Sequence, residues 1–185
     1  MSHYLVVYAT SEGQTRKIAE RIAARLKAAR AQVTLVDARA AAALELGLFD
    51  AAVLAASLHL GRHQAEMVDF IRLQRARLER VPTAFVSVSL SAASMLAEDL
   101  ADARAVVEDL FDELHWEATS VHLAAGAVHD SRMGLLKRWV IHRILREKGV
   151  AMPASGELEF TDWAALDLFV DGFITRVVPF ARETA

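Results

Sequence analysis

"VVYATSEGQTRKIAERIA", residues 6–23, decides how this chain is built. The apolar run "YLVVYA" (4–9) has the length and the β-branched and aromatic content of a strand buried on both faces. From Thr15 onward, Ile18, Ala19, Ile22, Ala23 and Leu26 recur at helical spacing, with Arg and Lys on the other side. Between strand and helix stand Thr10, Ser11, Gly13 and Thr15, more hydroxyls than a simple reversal needs. A turn that holds a phosphate does need them. Backbone N–H groups at a helix N-terminus point at an anion, and the helix dipole favours it. Thr10, Ser11 and Thr15 can each donate from a hydroxyl, while Gly13 allows close approach. The alternative is an ordinary helix cap, with Thr10 or Ser11 capping and Glu12 near the dipole.

Further along, "QVTLVDA" (32–38), "FDAAVLAAS" (49–57), "PTAFVSVSL" (82–90) and "TSVHLAAGA" (119–127) read as four more strands. Met67, Phe70 and Ile71 mark one intervening helix; Leu100, Val107, Leu110, Phe111 and Leu114 mark another. "ARAAAALEL" (38–46) reads as a short connecting helix. This alternation predicts an α/β fold: a doubly wound, five-stranded parallel sheet with helices on both faces, in a single domain over 1–185. "HDSRMGLLKRWVIHRILREKG" (129–149) predicts a basic helical insertion within roughly 129–150. "TDWAALDLFVDGFITRVV" (161–178) predicts a closing amphipathic helix capped by Thr161 or Asp162.

Composition narrows the classes. The 185 residues, 54% hydrophobic and 24% charged, suit one domain with a substantial core. A net charge of -3 leaves no global basic footprint for nucleic acid. Without cysteine there is no disulfide, thiolate zinc site or cysteine-held cluster. The strand-like start reads as lacking a signal peptide, and no run of about 18 apolar residues offers a bilayer span. A cytoplasmic location is expected.

Other chemistries fit poorly. There is no G-x-x-x-x-G-K-[ST] run, and the first turn has one glycine where a dinucleotide fingerprint needs three. Asp37 does end the second strand where a ribose-binding acid could sit. His59, His63 and His129 fall on loops at the ligand end and could relay protons, or could be structural; they show no metal pattern. Ser87, Ser89 and Ser91 follow no nucleophile elbow. Asp99, Asp102, Asp109 and Glu113 read as solvated helix faces, and Trp116 and Trp163 as packing residues.

The turn "TSEGQT" (10–15) resembles the T-x-[ST]-G-x-T phosphate loop of the flavodoxin-like family. Glu12 stands where that family usually carries a hydroxyl; a phosphate would repel it, so it should point to solvent. "AASLHLGRH" (55–63), "PTAFVSVSL", "AAGAVHD" (124–130) with the basic stretch after it, and "EFTDW" (159–163) resemble one branch in particular. That branch is the flavodoxin-type, menaquinone-dependent protoporphyrinogen IX dehydrogenases. Where it tends to carry aromatics, this chain has His59, Leu60, His63 and "VHDSRMG".

The resemblance implies strand order 2-1-3-4-5 and one noncovalent FMN. Its phosphate would rest on Thr10, Ser11, Glu12, Gly13, Gln14 and Thr15. Its ribityl chain and ring would be held by Ser57, Leu58, His59, Leu60 and Gly61, by Ser87, Val88, Ser89, Leu90 and Ser91, and by Gly126, Ala127, Val128 and His129. The flavin carries the chemistry, so no side chain is assigned as catalytic and no metal is expected. Protoporphyrinogen IX would be oxidised to protoporphyrin IX, with menaquinone or ubiquinone as acceptor, in haem biosynthesis. In the basic stretch six cations stand against two acids; Arg132, Lys137, Arg138, Arg143 and Arg146 could meet substrate carboxylates or the inner face of an anionic membrane, or be solvated. A homo-oligomer stays open. So do a flavodoxin-type electron-transfer protein, another FMN-dependent quinone reductase, and a scaffold without cofactor; near-neutral charge points away from the carrier, which by resemblance is strongly acidic.

Overall fold

Side-chain alternation along the first strand sets the layers. In β1 (His3–Ala9), Leu5, Val7 and Ala9 enter one core while Tyr4 and Val6 enter the other, as successive strand residues must. The computed structural model describes residues 1–41, 48–129, 145–146 and 157–183, without the side chains of 128, 129, 157 and 178–183.

After β1 come α1 (Gln14–Ala28), β2 (Gln32–Asp37), α2 (Ala38–Ala41), β3 (Ala51–His59), β4 (Arg62–His63), α3 (Ala65–Leu78) and β5 (Thr83–Ser89). A 3₁₀ turn (Ser91–Ala93), α4 (Ala97–Leu114), β6 (Ser120–Ala125), β7 (Ala127–His129), β8 (Glu157–Glu159) and α5 (Trp163–Glu183) complete the chain. The sheet runs β2-β1-β3-β5-β6, every pair parallel. Counting those five alone, the order is the expected 2-1-3-4-5. α1 and α5 cover one face through Ile18, Ile22, Leu26, Leu166, Val170 and Phe173. α3 and α4 cover the other through Met67, Phe70, Ile71, Leu78, Val107, Leu110 and Phe111. Fully burying one such side chain is worth about 1.5–3 kcal/mol. No described helix is long and apolar enough to cross a membrane.

Register brings the carboxyl ends of the strands level. Tyr8 pairs with both Asp37 and Ala55, Ser57 with Val88, and Ser89 with Ala125. The connections after β1, β3, β5 and β6 therefore leave from one edge, where open α/β sheets bind ligands.

Two local features differ from the sequence expectation, and a third decides between two caps it leaves open. The segment expected as a loop at 57–61 is a hairpin: β3 continues to His59, and Leu58 pairs with His63 and His59 with Arg62. Leu60 and Gly61, at φ 51° and 75°, form the two-residue turn whose twist suits antiparallel strands. His59 and His63 thus lie on strands rather than loops. The segment after β6 is also paired, because β7 runs antiparallel to β8 with Ala127 opposite Glu159. The basic insertion falls between these two short strands. Arg132, Lys137, Arg138 and Arg143 lie outside the described residues; Arg146 is described and is exposed. Lastly, Asp162 is the residue that caps α5, its Oδ1 accepting from the Ala165 N–H at 2.9 Å. Thr161 is engaged elsewhere.

Candidate functional site at the strand ends

A cavity of about 340 Å³ opens at the level edge of the sheet. Its floor is the first turn. Thr10, Ser11, Glu12, Gln14 and Thr15 line it, and Gly13 precedes α1 at φ 92°. No side chain caps α1, and its first turn holds no acid. The ordinary-cap alternative therefore fails: Thr10 Oγ1 accepts from the Gly13 N–H at 2.9 Å, which closes the turn and leaves the hydroxyl proton to give. The uncapped N–H groups and the dipole make this end positive. Thr15 is 1% exposed, and its Oγ1 is buried without a hydrogen-bond partner. Such a hydroxyl costs about 1–3 kcal/mol unless a ligand satisfies it. Glu12 is exposed, as its charge requires. A Cβ placed on Gly13 meets no heavy atom within 4 Å, so the demand for glycine comes from its backbone angle and not from crowding within the protein.

The walls come from the other connections. Ser57, Leu58, His59 and Gly61 contribute from the hairpin; Val88, Ser89, Leu90 and Ser91 from the end of β5; Gly126 and Ala127 from the end of β6. Leu60 instead stands out at the hairpin tip, 89% exposed. Ser87 is buried and faces away from the cavity, its Oγ lying 3.0 Å from His63 Nε2. Val128 and His129 are on β7, with side chains outside the described residues. Of the expected basic contacts only Arg146 is described, and the cavity wall among the described residues carries no lysine or arginine.

The hairpin is anchored from behind. His63 is 7% exposed, its ring edge-on to Phe85 at 5.1 Å. Burial lowers its pKa to about 4, so it is neutral at pH 7, and it stands outside the lining of this cavity. Gln64 Nε2 donates to Ser57 Oγ at 3.1 Å, tying the two hairpin strands together. The third loop is pinned on both sides: Gly126 N–H donates to the Ser89 carbonyl at 3.0 Å, and the Gly126 carbonyl accepts from Phe160 N–H at 3.1 Å.

Sequence reasoning missed Asp102, Ala103 and Val106, which close the cavity from the middle of α4. Asp102 reads as one charge on a solvated face. The available signal was positional, since α4 starts just after a strand end on the ligand side. No cluster of three or more metal-ligating side chains occurs among the described residues.

A parallel α/β sheet with an uncapped helix start, a hydroxyl-rich turn and a cavity at its switch edge defines a mononucleotide-binding domain of the flavodoxin type. The chain belongs to the flavodoxin domain family, whose family model matches residues 5–152. It is 26% identical over 170 residues to the protoporphyrinogen IX dehydrogenase (quinone) of Leishmania major, covering 91% of this chain and 73% of that one. It is 25% identical over 181 residues to the protein of that name from Escherichia coli, covering 98% and 93%. Among solved structures, a short-chain flavodoxin associated with a non-canonical PDU bacterial microcompartment shares the fold. There the TM-score is 0.55 and the identity 15%, over 96% of this chain and 99% of the other.

Proposed function

We propose that the chain is an FMN-dependent oxidoreductase that converts protoporphyrinogen IX to protoporphyrin IX with a quinone as acceptor. One observation carries the cofactor: the buried, unpartnered Thr15 hydroxyl at an uncapped helix start beside the cavity. The two relatives of that name, aligned over nearly the whole chain, support the substrate pair. When bound, the flavin supplies the redox chemistry, relaying electrons in pairs from porphyrinogen to quinone.

The chain's own residues bind and orient. With no basic side chain on the described wall, amides at the start of α1 and the hydroxyls of Thr10, Ser11 and Thr15 hold the phosphate dianion. Backbone groups of the hairpin, of residues 88–91 and of Gly126–Ala127 meet the rest of the cofactor, while Leu58, Leu90 and Val106 exclude water. A quinone dissolved in a bilayer brings the enzyme to the membrane surface. The basic stretch 129–149 supplies the attraction for anionic lipid.

Purified protein reconstituted with FMN should form protoporphyrin from protoporphyrinogen under anaerobic conditions, at a rate set by added menaquinone analogue. Tight FMN binding without any quinone-dependent turnover would remove the substrate assignment and leave an electron carrier. Neutralising Arg138, Arg143 and Arg146 together should lower co-sedimentation with anionic vesicles and leave FMN bound; unchanged sedimentation removes the membrane role.

A further inference from the structure

Gln14, which lines the cavity, and Thr161 are 147 positions apart and meet through a hydrogen bond. Gln14 opens α1, is 6% exposed and lines the wall. Its Nε2 donates to Thr161 Oγ1 at 2.8 Å, and the Thr161 hydroxyl donates to the Ala125 carbonyl at 2.7 Å. This chain of bonds has only one consistent direction. A carbonyl can only accept, so Ala125 takes the one proton Thr161 owns. Thr161 must then accept from Gln14, which requires the amide end of the carboxamide. Gln14 Oε1 is thereby turned away from Thr161, and it is buried with no hydrogen-bond partner.

The neighbouring Thr15 Oγ1 is also buried and unpartnered. An acceptor and a donor on consecutive residues, at an uncapped helix start, match the phosphate ester of a sugar alcohol. The phosphate satisfies the hydroxyl, and an alcohol beside it satisfies the carboxamide oxygen. Thr161 itself is firmly seated between β8 and α5. Phe160 N–H bonds the Gly126 carbonyl at 3.1 Å, Trp163 Nε1 donates to Glu159 at 2.7 Å, and Asp162 caps the helix. Glu159, Phe160, Thr161, Asp162 and Trp163 lie beyond residue 152, where the family match ends.

We infer that Thr161 is a positioning residue of this site: it fixes the polarity of the Gln14 carboxamide, presenting Oε1 to a ligand hydroxyl, and so makes the start of the C-terminal helix part of the cofactor site. This rests on the FMN proposal above, whose ribityl chain supplies the hydroxyl.

The test is titration of the full chain with FMN, riboflavin and lumiflavin, followed by flavin fluorescence. Riboflavin lacks the phosphate, and lumiflavin lacks both phosphate and ribityl chain. Thr161→Val should weaken FMN and riboflavin by the same factor, about three- to tenfold, and leave lumiflavin within about twofold. Thr161→Ser, which keeps the hydroxyl, should bind like wild type. Gln14→Met should reproduce the Thr161→Val losses and stands in for that variant if it fails to fold. Adding Gln14→Met to Thr161→Val should cost little more, because both act through one carboxamide. Unchanged FMN affinity in both single variants, or an equal loss for lumiflavin, overturns the inference while FMN binding stands. Wild-type protein that binds no FMN overturns the underlying proposal instead.

Discussion

Thr15 concentrates the chemistry of the site, because its hydroxyl is buried and unpartnered at the start of α1. Thr15→Val keeps the shape and deletes that orphaned group. The ligand-free variant should therefore be at least as stable as wild type by chemical denaturation, yet bind FMN about tenfold more weakly. Loss of stability without loss of affinity would make Thr15 a packing residue. Gly13→Val acts through the backbone: a left-handed φ of 92° costs a branched residue roughly 1–2 kcal/mol or more, although the space around it is open. It should lower both stability and affinity, more severely than Thr15→Val. His63 gives the pH dependence. Its folded pKa of about 4 lies below the ordinary 6.5, so between those values the unfolded chain binds the proton more readily. The stability it contributes is complete above pH 6.5 and is lost as pH falls toward 4. His63→Gln, which can still reach Ser87, should shrink the stability difference between pH 7 and pH 4.5 by about 2 kcal/mol.

At the level of elements, the hairpin shows what the sequence could and could not reveal. The five parallel strands were legible because each is a short run built around β-branched and other apolar residues, and β5 is buried at every position. β4 was not: Arg62–His63 is a two-residue strand with no period of its own, and it forms only because β3 overruns the sheet. β7 and β8, of three residues each, pair across a long insertion, which local patterning cannot detect. The same limit explains the site. "TSEGQT" announced itself through four small residues in one turn, whereas Asp102 reaches the cavity, and Thr161 reaches the cavity-lining Gln14, only through tertiary placement. The hairpin also carries a testable strain. Leu60 sits at φ 51° and is 89% exposed, a position that asparagine adopts more readily. Leu60→Asn should raise stability by about 0.5–1 kcal/mol, measured as a higher denaturation midpoint with unchanged slope. A lower midpoint would show that Leu60 packs against something in solution.

Across the whole molecule, two helical layers hold a rigid sheet, and the site is the edge where four strands stop together. α1 carries the phosphate turn and is fastened to α5 by Arg21–Asp167 and Arg25–Asp171, both at 2.6 Å. These pairs are exposed and screened by solvent, so apolar packing does most of the fastening. Because a ligand at this edge binds only the folded chain, FMN at about a hundred times its Kd should add roughly 2.7 kcal/mol of stability. For a domain of this size that is about 5–10 °C in Tm. The most direct measurement is a fluorescence titration of the ligand-free chain with FMN beside riboflavin, in wild type and Thr15→Val. Saturable one-to-one binding, tighter for FMN than for riboflavin by about tenfold or more and losing that preference in the variant, is the expected result. Equal affinity for the two flavins, or no binding of either, would contradict a phosphate held on residues 10–15.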